Sequence, residues 1–302
     1  MEIEIIGSTL NCTFIQLMSA VEKANLKIVI GGGYGLFLKS ELIAQQNLPT
    51  ILPKFDVGTR STDDIDVFLD IEIIAEPDQT KMMKQVIDDM GFIVKKGAEH
   101  YQFLKSDDVY GKINTVKIDL LTGPVPAEMK TQVRIRDDRR ICPEEKGMHL
   151  HARSSPEAIG IRDSMFSFTV SCMCENGNSI TSVVNLPQPF TYAMMKTKSF
   201  YDKMQRNGLR DDLDIPGKHA WDVFRILAMT TEEELEASKE LSKSYRSDVI
   251  YTEVASIVSE SFGTIESLGT LRALTYGRRL GINLNQSDTK GIIDLLAELL
   301  QK

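Results

Sequence analysis

The stretch Arg60-Ser-Thr-Asp-Asp-Ile-Asp-Val-Phe-Leu69 passes from polar residues into an apolar, β-branched run, the pattern of a strand entered from a loop. Side chains alternate along a strand, so Asp64 and Asp66 point to one face. Two carboxylates on one face repel each other and are costly to desolvate unless a cation compensates them. A hard divalent ion such as Mg²⁺ suits oxygen ligands and keeps several of its waters. Taken alone, Asp-x-Asp is also what a solvated strand start looks like, so its surroundings have to decide.

Further along, Val116-Lys-Ile-Asp-Leu-Leu121 places Asp119 inside another apolar strand pattern. A third metal ligand or a general base would account for a carboxylate there; so would an exposed edge position. In the other direction, the apolar run 26–30 stops at Gly31-Gly32-Gly33, and a helical period resumes over 34–45 through Leu36, Phe37, Leu38 and Leu42. Glycines between a strand and a helix let backbone N–H groups approach phosphate oxygens. The run lacks the Walker lysine and the Gly-x-Gly-x-x-Gly spacing, so neither a P-loop nor a dinucleotide-binding turn fits. A plain strand-to-helix turn is the simpler alternative.

Around these features the first half alternates helix and strand. A helix is predicted over 13–24, with Phe14, Leu17, Met18 and Val21 on one stripe, and another over 77–90. Strands are predicted over 65–74, 92–94, 101–104 and 115–121, with 47–58 as an inserted loop and 128–155 unassigned. A hairpin is expected from 166–174 and 179–184. Strands separated by helices imply an α/β (α+β) fold built on a small mixed sheet. Beyond Pro187 and Pro189, helical patterns follow one another over 192–206, 217–228, 231–242, 246–261, 264–274 and 290–300. The expected division is therefore an α/β domain over 1–186 and a helical domain over 187–302.

Composition narrows the function classes. The 302 residues allow one large domain or two ordinary ones. With 35 basic and 43 acidic residues the formal charge is −8, which disfavours nonspecific coating of nucleic acid. No apolar run approaches the ~20 residues of a membrane span. Met1 to Gly7 carries two glutamates and shows no secretory signal, so a cytoplasmic setting and no membrane partner are expected. Cys12, Cys142, Cys172 and Cys174 are too few and scattered for a disulfide framework.

The order of the motifs carries a family resemblance. Gly32-Gly33-Tyr34-Gly35-Leu36 followed by Arg60 through Asp66 resembles the "GG-x-A-L … R-x-S/T-x-D-I/L-D" signature of the AbiEii/AbiGii-type toxins, within the polymerase-β-like nucleotidyltransferase superfamily. Tyr192-Ala-Met-Met-Lys196 resembles the family's lysine-bearing helix, and Gly217-Lys-His-Ala-Trp-Asp222 its "K-D-x-x-D" segment. Two departures stand out: a long gap between Gly33 and Asp64, and His219 where the family often has aspartate.

The resemblance implies a sheet carrying the aspartates and a helical bundle closing over the nucleotide. It also implies transfer of a nucleoside monophosphate from an NTP to an acceptor hydroxyl. Asp64, Asp66 and Asp119 would hold Mg²⁺ or Mn²⁺, with Asp119 activating the acceptor. Gly32, Gly33, Arg60, Ser61 and Thr62 would contact the nucleotide; Lys196 would neutralise its charge, and Asp222 would orient that lysine or the acceptor. The partners implied are NTP, a tRNA acceptor and a cognate antitoxin. Transfer to a protein or to a small molecule of the aminoglycoside kind, and a catalytically silent binding module, are the alternatives. A lysine on a helix is often only solvated, and an ordinary salt bridge would also explain Asp222.

Two further groupings are weaker. Lys130, Arg134, Arg136, Arg139, Arg140, Lys146 and Arg153 form a basic cluster that would suit RNA phosphates. Asp137, Asp138, Glu144 and Glu145 interrupt it, as in a mixed solvated surface. His149-Leu-His151 and Cys172-Met-Cys174 have spacings that match no standard zinc finger.

Overall fold

Ser8 opens the first helix: its side chain accepts a hydrogen bond from Asn11 N at 3.2 Å, so α1 (Thr9–Lys23) starts earlier than its apolar stripe alone predicts. The computed structural model describes residues 1–52, 64–98, 100–109, 112–174, 177–207 and 214–300. Arg60, Ser61 and Thr62 lie outside the described residues, as does most of the predicted 47–58 loop. Two units are present. The first takes in 1–46, 64–156 and 165–186 of the described residues; the second takes in 47–52, 157–164 and the chain from Pro187 onward.

The first unit runs β1 (Glu2–Ile5), α1, β2 (Ile28–Ile30), α2 (Gly32–Gln45), β3 (Asp64–Leu69), α3 (Ile71–Ala75), α4 (Pro77–Asp89), β4 (Ile93–Val94), β5 (Gln102–Val109), β6 (Lys112–Thr122), β7 (Val133–Ile135), β8 (Arg140–Pro143), β9 (Ala152–Ser154), β10 (Met165–Met173) and β11 (Ser179–Pro187). Its larger sheet has the order β2-β3-β6-β9-β8-β7, with β5 pairing β6 and β4 pairing β5. Within it β2 is antiparallel to β3, and β3 is parallel to β6. A smaller sheet, β1-β10-β11, contains the expected hairpin, with β1 added parallel to β10. The architecture is mixed α/β.

Two sequence expectations are corrected. The strand predicted over 65–74 ends at Leu69, and Ile71–Ala75 is a short helix. Asp70 accepts a hydrogen bond from Glu72 N at 3.3 Å and caps that helix, which outweighs the β preference of its isoleucines. The unassigned segment 128–155 supplies β7, β8 and β9, which extend the sheet through β6 by the pairing of Leu121 with Arg153. Its strands are short and polar, so their alternation is weak.

The second unit contains α5 (Pro189–Asn207), α6 (Asp214–Ala228), α7 (Glu232–Tyr245), α8 (Val249–Phe262), α9 (Leu268–Arg279) and α10 (Gln286–Leu300). Each predicted helical segment finds its helix. Thr231 and Glu234 form a reciprocal capping box at the start of α7. Trp221, Phe224, Phe190, Phe200, Val254, Phe262 and Leu295 build one core, each such side chain contributing about 1.5–3 kcal/mol by burial. Among the described residues, no helix is long and apolar enough to cross a membrane.

Candidate active site

The parallel register of β3 and β6 sets Asp64 opposite Lys117, Ile65 opposite Ile118 and Asp66 opposite Asp119. Cross-strand partners share a face, and alternate residues change face. Asp64, Asp66, Lys117 and Asp119 therefore stand on one side of the sheet. Ile65, Val67, Ile118 and Leu120 stand on the other, each fully buried. The apolar side anchors the two strands, and the polar side presents three carboxylates.

Lys117 is the residue the sequence reading did not assign. Its Nζ lies 2.9 Å from Asp64 Oδ2 and 3.1 Å from Asp119 Oδ2, a compensating cation within the acidic group. The signal was present: Lys117 precedes Asp119 by two residues and must share its face. Burial alone would lower the lysine's pKa, but the hydrogen bond to Asp64 and the charge of Asp119 hold it above the usual value. Burial pushes the Asp119 carboxyl up despite the adjacent ammonium. Its Oδ1 is buried and accepts no hydrogen bond among the described residues. No acidic trio there has its ligand atoms all within 4.8 Å of one another.

The glycine turn meets the same face. Gly31 N donates to the Asp66 carbonyl at 2.9 Å, tying the start of α2 to β3. Gly32 has φ +61°, and a Cβ built on it would sit 1.7 Å from Asp66 Oδ2. Only a residue without a side chain lets the helix start this close to the carboxylate. Gly32→Ala is expected to destabilise the fold by more than about 2 kcal/mol, because roughly 1–2 kcal/mol of left-handed backbone strain adds to displacement of Asp66. A urea-unfolding midpoint unchanged by the substitution would refute that close approach. Gly33 is buried beside it in the first turn of α2.

Lys196 and Asp222 belong to the helical unit. Lys196 Nζ on α5 donates to Asp222 Oδ2 on α6 at 2.9 Å, and Arg225 Nη1 lies 3.6 Å from Asp222 Oδ1. Asp222 is fully buried, so it acts on its surroundings through the lysine it holds. The packing of α5 on α6 brings the two motif residues together.

No family model matches this chain, and no curated protein matches it by sequence. The solution structure of the antibiotic-resistance factor ANT(2'')-Ia aligns with a TM-score of 0.34 and 14% identity, covering 80% of this chain and 94% of that one. A likeness this distant assigns no role to any residue here.

The remaining groupings separate. In the basic cluster, Arg140 Nε bonds Asp138 at 2.6 Å and Arg134 Nε donates to the Pro143 carbonyl, as in a mixed surface. His149 and His151 lie against His100, with ring centres 4.6 and 5.3 Å away; among the described residues, the ligand cluster that includes Cys172 and Cys174 contains no histidine. A cavity of about 590 Å³ lined by Lys81, Lys84, Asp88, Lys146 and His149 includes none of the three aspartates. The chemistry of this face comes from the aspartates themselves: oxygen donors, one of them a buried unpartnered oxygen, fit a hard divalent ion and its waters.

Proposed function

We propose that this chain is a nucleotidyltransferase of the AbiEii/AbiGii kind, which moves a nucleoside monophosphate from an NTP to an acceptor hydroxyl and releases pyrophosphate. The observation that carries the reading is the register of β3 and β6. It puts the Asp-x-Asp pair and the lone strand aspartate on one face, with the glycine turn pressed against Asp66. A silent binding module has no need of this costly arrangement.

In the reaction the acceptor oxygen forms a bond to the α-phosphorus while the bond from that phosphorus to the bridging oxygen breaks. Asp64, Asp66 and Asp119 would hold Mg²⁺ or Mn²⁺. The ion, when bound, supplies positive charge for the phosphate oxygens. Asp119 takes the hydroxyl proton, since burial makes that carboxyl more basic than a solvated aspartate. Lys117 compensates the charge of Asp64 and Asp119. Gly32 and Gly33 offer backbone near the phosphates, and the family resemblance assigns neutralisation of the nucleotide's charge to Lys196, which Asp222 orients.

The acceptor we propose is the 3′ hydroxyl of tRNA, and the role that of a toxin restrained by a cognate antitoxin in the cytoplasm. Purified protein incubated with α-labelled NTPs, Mg²⁺ and separate pools of tRNA, protein extract and small metabolites is expected to place label on tRNA. Label on protein or on an aminoglycoside-like metabolite would keep the chemistry and replace the acceptor. No transfer to any pool, with no NTP binding and no stabilisation by Mg²⁺, would refute the enzyme.

A further inference from the structure

Three of the chain's four cysteines meet in the first unit, where the start of α1 faces the end of β10. Cys12 lies in the first turn of α1. Cys172 is on β10, where it pairs in register with Ile5 of β1, and Cys174 follows it after one intervening residue. Cys172 and Cys174 share a face because they are two apart, and that face meets the start of α1. The three sulfurs all lie within 4.8 Å of one another, with Cys12 Sγ 4.0 Å from Cys172 Sγ. All three are free thiols.

The 4.0 Å separation is informative. A disulfide would bring two sulfurs to about 2.05 Å. Sulfurs around a tetrahedral zinc, each at about 2.3 Å from the metal, stand roughly 3.8 Å apart. The trio is thus spaced for a shared soft cation with little rearrangement. Cys172 and Cys174 are buried, whereas Cys12 is half-buried, which leaves one side open for an ion to enter. We propose that Cys12, Cys172 and Cys174 form a structural site for a thiophilic d¹⁰ divalent cation, zinc in the cell, with solvent in the fourth position.

Charge selects a divalent ion over a monovalent one. Binding replaces three thiol protons, which pass to solvent, by three metal–sulfur bonds, giving a net charge of −1 with Zn²⁺ and −2 with Cu⁺. Glu4 already adds negative charge near Cys172, so the smaller residual charge is favoured. Burial pushes Cys172 up to about 11 and Cys174 up to about 12, and Cys12 adds to both shifts. The bound ion would pin the start of α1 to the end of β10, two elements otherwise separated by most of the unit's chain.

The test uses the full chain, reduced and stripped of metal, titrated with Zn²⁺ against a chromophoric chelator and with Cd²⁺ for the thiolate-to-metal absorption band. One ion per chain and a higher thermal midpoint are expected. Cys12→Ser, at a half-buried position, should keep the metal-free fold by circular dichroism. It should weaken binding by at least the about 10–100-fold that loss of a mere second-shell partner costs. Cys142→Ser and Asp66→Ala should leave binding unchanged, which separates this site from the proposed catalytic one. Absence of the Cd²⁺ band in the folded, reduced chain would overturn the proposal. So would unaltered affinity in Cys12→Ser, or loss of the band in Asp66→Ala.

Discussion

Asp66→Ala is expected to reduce nucleotidyl transfer by at least about a thousandfold while leaving the chain folded. Loss of a single preorganised hydrogen-bond donor to a developing charge already costs about 10²–10³ in rate, and here a charged ligand of the proposed ion is removed. The fold should survive because the packing of β3 lies on its opposite face, where Ile65 and Val67 are fully buried. The substitution also takes away the carboxylate oxygen against which Gly32 is pressed. Initial rates with labelled NTP, alongside a thermal melt of the same preparation, check both halves. A folded variant with near-parental transfer would remove the aspartate face from the mechanism. Asp66→Ala combined with Gly32→Ala should recover part of the stability lost in Gly32→Ala alone, since the clash has gone and only the strained backbone angle remains.

Asp222→Ala should produce the largest loss of stability. Asp222 is fully buried between the Lys196 ammonium and the Arg225 guanidinium, and Arg225 is itself fully buried. Removing the anion leaves two buried cations without their shared carboxylate, which typically costs about 3–5 kcal/mol. Equilibrium urea unfolding measures it. Lys196→Ala is gentler, because Asp222 keeps Arg225 as a partner. That variant therefore isolates function: a raised KM for NTP with little change in unfolding midpoint is expected. A loss for Asp222→Ala below about 1 kcal/mol would mean that the ion pair does not hold α5 to α6.

The limits of sequence reading follow from the range of the forces involved. Helices such as α1 and α4 were legible because their apolar stripes and caps are local patterns. The strand predicted over 65–74 failed at Asp70, where a side-chain hydrogen bond two residues long redirected an isoleucine-rich run into a helix. β7, β8 and β9 escaped notice because short, polar strands are specified by their neighbours in the sheet rather than by their own alternation. Lys117 was overlooked for a related reason. Its spacing from Asp119 is visible in the chain, but its bond to Asp64 exists only because β3 and β6 are parallel in one particular register.

From the chain alone came the elements that a few neighbouring residues can dictate: the helices apart from α3, most strands, the carboxylates that share a strand face, and the glycines able to turn sharply. Tertiary structure decided what distant segments do to one another. It chose which strands pair and in which register, set Gly32 against Asp66, seated Lys117 among the carboxylates, and drew Cys12 to Cys172 and Cys174 across 160 positions of chain. The physical reason is that hydrogen-bonded turns and helical stripes are short-range, whereas charge compensation and sulfur clustering depend on separations that only the packed chain defines.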